Sequence, residues 1–67
     1  MQLSARNQFK GTVKTVKLGA IMAEVVVDVG GQEVVSEITK SSVERLGLKT
    51  GDAVTCIIKS TEVMLGK

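Results

Sequence analysis

The chain has 67 residues, with nine Lys and Arg against seven Asp and Glu for a formal charge of +2, one cysteine, no histidine and a single aromatic residue, Phe9. One cysteine excludes an internal disulfide, and the absence of histidine removes the main component of serine triads and of the common zinc sites. A chain this short buries only about 60% of the surface its unfolded form exposes, so its core is marginal and oligomerisation is the leading remedy.

Valine, isoleucine, leucine and alanine dominate the apolar residues, a composition that favours strands. Phe9 to Leu18 reads as a long strand with a bulge or bend near Gly11. Gly19-Ala20 breaks it. From Ile21 to Val29, Ala23, Val25, Val27 and Val29 alternate with Met22, Glu24, Val26 and Asp28, which predicts a second strand with one apolar and one mixed face. Gly30-Gly31 supplies the positive φ of a tight hairpin, and Gln32 to Thr39 returns as a third strand.

The periodicity then changes. Ser41 followed three residues later by Glu44 matches a capping box, Val43 and Leu46 share a helical face, and Gly47 is placed for a left-handed C-cap. One short helix is expected. Lys49 to Asp52 is a turn, Ala53 to Lys59 a fourth strand and Glu62 to Leu65 a short fifth. An all-β chain with one short helix between its third and fourth strands has the layout of a five-stranded OB-like Greek-key barrel. There is no linker, low-complexity stretch or repeat, so residues 1–67 are expected to form a single domain. No apolar run reaches the length of a signal-peptide core or a membrane span. With the lone Cys56, this leads us to expect a soluble cytoplasmic protein.

Several chemistries are absent. Neither a P-loop nor a G-x-G-x-x-G pattern occurs, no carboxylates fall at calcium-loop spacing, and Cys56 lies mid-strand among apolar neighbours, where an inert buried thiol is expected. No enzyme is expected. What the sequence offers instead is hydrogen-bond donors in three clusters: Ser4, Arg6 and Asn7; Thr39, Lys40, Ser41 and Ser42 at the helix start; and Lys59, Ser60 and Thr61 after the fourth strand. Such groups suit a small oxyanion. Each cluster also has a plain structural reading: a polar tail, a helix cap, and a strand-end surface lysine.

At these residues the chain resembles a known family. "SARNQFKGTV", "AEVVVDVGG", "ITKSSVERLGLKTGD" and "VTCIIKSTEVML" together are similar to the molbindins, small bacterial molybdate-binding proteins made of one TOBE (Mop) domain. The resemblance runs from about Ser4 to Leu65. It implies an OB-like barrel, a cytoplasmic homo-hexamer built as a trimer of dimers, and binding of molybdate or tungstate at subunit interfaces for intracellular molybdenum storage or homeostasis. It implies no organic cofactor, no free metal cation, no nucleic acid and no membrane.

Carried over by position, the resemblance implies an oxyanion site with Ser4, Arg6, Lys59 and Ser60 from one subunit and Thr39 and Ser42 from its neighbour. Molybdate at neutral pH is an unprotonated tetrahedral dianion, so a site made only of donors suits it. Lys59 is the expected charge partner. Two roles are open to Arg6: its backbone N–H toward the anion, or its guanidinium toward a carboxylate elsewhere. The alternative readings are single-stranded nucleic-acid binding, common among OB-type barrels, and a regulatory assembly module. The first calls for stacking aromatics in a basic groove, and Phe9 is the only aromatic present.

Overall fold

β1 (Asn7–Leu18) is the longest element and organises the rest. The computed structural model describes all 67 residues, Met1–Lys67. It contains β2 (Met22–Val29), β3 (Gln32–Thr39), helix α1 (Lys40–Leu46), β4 (Ala53–Ile58) and a single 3-10 turn over Ser60–Glu62. The strands form one antiparallel sheet in the order β3-β2-β1-β4.

β1 serves two ladders in succession. Its first half pairs with β4, from Asn7↔Ile58 to Thr12↔Ala53, and its second half with β2, from Thr12↔Asp28 to Leu18↔Ala23. The register slips between Val13 and Thr15. The irregularity expected near Gly11 therefore falls at Lys14, and the backbone bonding of Val13 explains it. Val13 N–H donates to the Asp52 carbonyl at 2.9 Å and its own carbonyl accepts from Gly51 N–H at 2.8 Å, so the turn before β4 takes up the polar groups that a continuous ladder would use.

β2 keeps the expected alternation: Ala23, Val25 and Val27 are buried, while Met22, Glu24 and Asp28 are exposed. Gly30 and Gly31, at φ 67° and 90°, close the hairpin to β3. The Gly31 N–H also donates to Asp28 Oδ1 at 2.8 Å, fixing the turn from its preceding strand.

Thr39, not Ser41, caps the helix. It has extended backbone and its Oγ1 accepts from Ser42 N–H at 3.1 Å, which moves the cap two residues upstream of the Ser41–Glu44 pair. At the other end Gly47 adopts φ 63°, as expected; its N–H donates to the Glu44 carbonyl and Leu48 N–H donates to the Val43 carbonyl, both at 3.1 Å. That paired closure turns Val43 and Leu48 toward the sheet. The core consists of Val13, Ala23, Val25, Val27 and Val43, with Val16, Val29, Ile38, Leu48, Val54 and Cys56 packed around it.

The five-stranded barrel is not formed within one chain. Glu62–Leu65, expected as a fifth strand, begins in the 3-10 turn and continues without regular structure, so the sheet stays open between the outer edges of β3 and β4. β4 also ends at Ile58 rather than at Lys59. No helix is long and apolar enough to cross a membrane.

Candidate anion-binding site

The pairing of Asn7 with Ile58 decides where the polar ends of the chain meet. Asn7 opens β1 and Ile58 closes β4, so residues 4–6 and 59–60 leave the same end of one antiparallel ladder side by side. Ser4, Ala5, Arg6, Asn7, Lys59 and Ser60 line one cleft of about 490 Å³ there. Four of the six expected site residues are thus brought together. Asn7 joins them although it was not among the six; it belongs to the first donor cluster, and its place at the head of β1 gives it a wall of the cleft.

Local contacts hold this end in shape. Gln8 Nε2 donates to the Ala5 carbonyl at 2.6 Å, tying the entering segment to β1. On the other wall Lys59 precedes the 3-10 turn in extended backbone, and its carbonyl accepts from Glu62 N–H at 2.9 Å. No carboxylate lines the cleft. The chain's salt bridges join Lys14 to Glu33 and Lys49 to Asp52, so Arg6 and Lys59 bring two positive charges with no anionic partner of their own. Within the chain, the guanidinium of Arg6 has no carboxylate to pair with.

Thr39 and Ser42 lie elsewhere. Thr39 pairs with Met22 at the far end of β2, beyond the Leu18↔Ala23 pair that ends β1. Thr39 and the Ser4–Lys59 cleft therefore flank opposite ends of β1, which is too long for one hydrogen-bond network to span at about 3.3 Å per residue. Around Thr39 the hydroxyls are mutually engaged: Thr39 Oγ1 donates to Ser42 Oγ at 2.8 Å and lies 3.1 Å from Ser41 Oγ, and Arg45 Nη2 donates to Ser42 Oγ at 3.5 Å. This second group of donors has arginine and lysine for neighbours and no carboxylate bonded to it.

Cys56 is half-buried in β4, and desolvation raises its pKa and so disfavours the thiolate. No group of His, Cys, Asp or Glu side chains is arranged to hold a metal ion.

The family model described as the TOBE domain matches residues 3–65. The chain belongs to the TOBE domain family. Molybdenum-pterin-binding protein 3 of Clostridium pasteurianum is 52% identical over 66 residues, covering 97% of each chain. Among solved structures, this TOBE domain superposes on a molybdate-binding protein from Sporomusa ovata with a TM-score of 0.95 at 43% identity, over 100% of both chains. MopII from Clostridium pasteurianum gives a TM-score of 0.93 at 46% identity, over 98% of this chain and 100% of that one. The open four-stranded sheet with one short helix is thus the architecture shared with these two structures, and the names of the first two relatives describe binding rather than catalysis.

Proposed function

We propose that this protein binds molybdate or tungstate between subunits of a homo-oligomer, a hexamer arranged as a trimer of dimers, as an intracellular store that buffers molybdenum. Ser4, Arg6, Lys59 and Ser60 of one subunit form the charged wall of the site, and Thr39 and Ser42 of a neighbour complete it. The observation that carries this reading is the cleft itself: two cations without ion-pair partners, two serines, an asparagine and no carboxylate. The names of the relatives, molybdenum-pterin-binding and molybdate-binding, support it.

The chemistry favours an unprotonated dianion. Every N–H and O–H aimed at molybdate meets an acceptor oxygen, whereas hydrogen phosphate carries a proton that needs an acceptor of its own. Hydrogen bonds to a charged group contribute about 1.5–3 kcal/mol each, so a few of them, with Lys59 and Arg6, suffice for tight capture. Because Thr39 and the Lys59 cleft flank opposite ends of β1, one chain supplies both halves but closes neither.

Titration calorimetry with molybdate, tungstate, sulfate and phosphate, run beside native mass spectrometry, tests the proposal. The expected result is tight binding of molybdate and tungstate, weak binding of phosphate, and anion retained on a multimer. Tight binding to a monomer would overturn the shared site.

A further inference from the structure

The peptide that joins Ala5 to Arg6 is held from one side only. Gln8 Nε2 donates to the Ala5 carbonyl at 2.6 Å, and the Arg6 N–H, one residue before β1, donates to no other group of the chain. Gln8 is exposed and does not line the cleft, whereas Ala5, Arg6 and Asn7 all do. Successive side chains of a strand point to opposite faces, so at the start of β1 the Gln8 side chain stands on the face away from Asn7 and from the cleft.

A planar trans peptide carries its C=O and its N–H in opposite directions, and this chain has no cis bond. A carbonyl drawn to the Gln8 face therefore sends the Arg6 N–H toward the Asn7 face, where the cleft lies. The opposite rotation would exchange the two, setting a carbonyl oxygen against the anion in place of a donor. Ala5 and Arg6 lie ahead of β1 and outside its ladders, so the bond from Gln8 is the one hydrogen bond of this peptide's C=O and N–H that decides between the two orientations.

We infer that Gln8 is a positioning residue for the anion site: by holding the Ala5 carbonyl outside the cleft, it keeps the Arg6 N–H turned inward and keeps an acceptor oxygen away from the anion. This rests on the anion-binding reading above and gives its selectivity a local cause. With the carbonyl outside, the proton of hydrogen phosphate finds no acceptor at Ala5. With the carbonyl inside, that proton has a partner and an unprotonated dianion meets repulsion instead. On this geometry the main chain of Arg6, and not its guanidinium alone, serves the site.

Gln8→Met keeps the length of the side chain and removes its donor, and Gln8→Lys restores a donor of similar reach. Titration calorimetry with molybdate is run on the wild type and both variants, and isotope-labelled samples report the Arg6 amide by NMR. If the freed peptide spends about a tenth to a third of its time with the N–H inward, the apparent Kd of Gln8→Met rises about threefold to tenfold. Molybdate is expected to shift the Arg6 amide signal strongly in the wild type and in Gln8→Lys, and less in Gln8→Met. Amide signals from Gly11 to Val16 are expected to coincide in the three anion-free proteins, as they should if the fold is untouched. Wild-type affinity or a wild-type Arg6 shift in Gln8→Met overturns the role of Gln8 and leaves the anion site standing, and so does an equal loss in Gln8→Met and Gln8→Lys. A wild type that binds no molybdate overturns the site itself.

Discussion

Gly11 lies against Asp28 so closely that a β-carbon at Gly11 would sit 2.5 Å from the Asp28 carbonyl oxygen, 2.7 Å from Val27 Cγ1 and 2.8 Å from Val29 Cγ1. Its φ is not in the left-handed region, so the requirement is for space rather than for backbone freedom. β1 crosses β2 at this point as it passes from the β4 ladder to the β2 ladder. Gly11→Ala is therefore expected to lower stability by about 1–3 kcal/mol, the usual cost of overpacking, because a backbone carbonyl cannot swing aside. Urea unfolding measures it, and a variant with an unchanged midpoint would show slack between β1 and β2.

Thr39 carries the helix cap. Thr39→Ala is expected to cost about 1 kcal/mol, and Thr39→Ser, which keeps an acceptor oxygen for Ser42 N–H, only a fraction of that. Ser41→Ala removes no cap, and thermal unfolding of the three variants without anion should rank them accordingly.

Lys59 and Ser60 line the cleft and are exposed, so their removal should spare the fold. Lys59→Ala is expected to weaken molybdate binding by one to two decades, at about 1.4 kcal/mol per decade, with the melting temperature of the anion-free protein unchanged. Added molybdate should raise the melting temperature of the wild type more than that of the variant. Equal affinity by calorimetry would remove Lys59 from the site.

Alkaline pH should destabilise the protein in two stages. Burial raises the Cys56 pKa, so the folded chain holds that proton after the unfolded chain has begun to lose it. The contribution is full below about pH 8.5 and fades as pH rises through the folded value. The hydrogen bond and charge of Glu33 raise the Lys14 pKa, a surface contribution that is complete below about pH 10.4 and lost as pH rises through the folded value. Melting temperatures from pH 7 to 11 should fall less steeply above pH 8.5 for Cys56→Ala, and above pH 10 for Lys14→Gln. The second effect should shrink in high salt.

Much of this fold is legible in residue types because its signals are local. The β2 alternation, the Gly30-Gly31 hairpin and the Gly47 cap each depend on a few adjacent residues, and each forms where its residues predict. The misplacements have non-local causes. Gly11 reads as a bulge when taken alone, but the register slips at Lys14 because Val13 bonds to Gly51 and Asp52 from a distant turn. Val63, Met64 and Leu65 have the composition of a strand, yet strand formation needs a partner edge, and the chain leaves them without one. For the candidate site, the donor clusters were visible as clusters. That Ser4 and Arg6 share a cleft with Lys59 and Ser60 follows from the Asn7↔Ile58 register, which composition does not encode.

The two ladders that meet at Thr12 differ in firmness. All five buried residues belong to β1, β2 and the helix, and β4 contributes none. Amide exchange should accordingly be slowest along β2 and several-fold faster in β4, since opening the outer ribbon uncovers little core. The cleft of Ser4, Arg6, Lys59 and Ser60 stands at the yielding tip of that ribbon. On the proposed reading, molybdate bound in that cleft is expected to register as slowed exchange in β4 before it alters the half of the sheet that holds the buried residues.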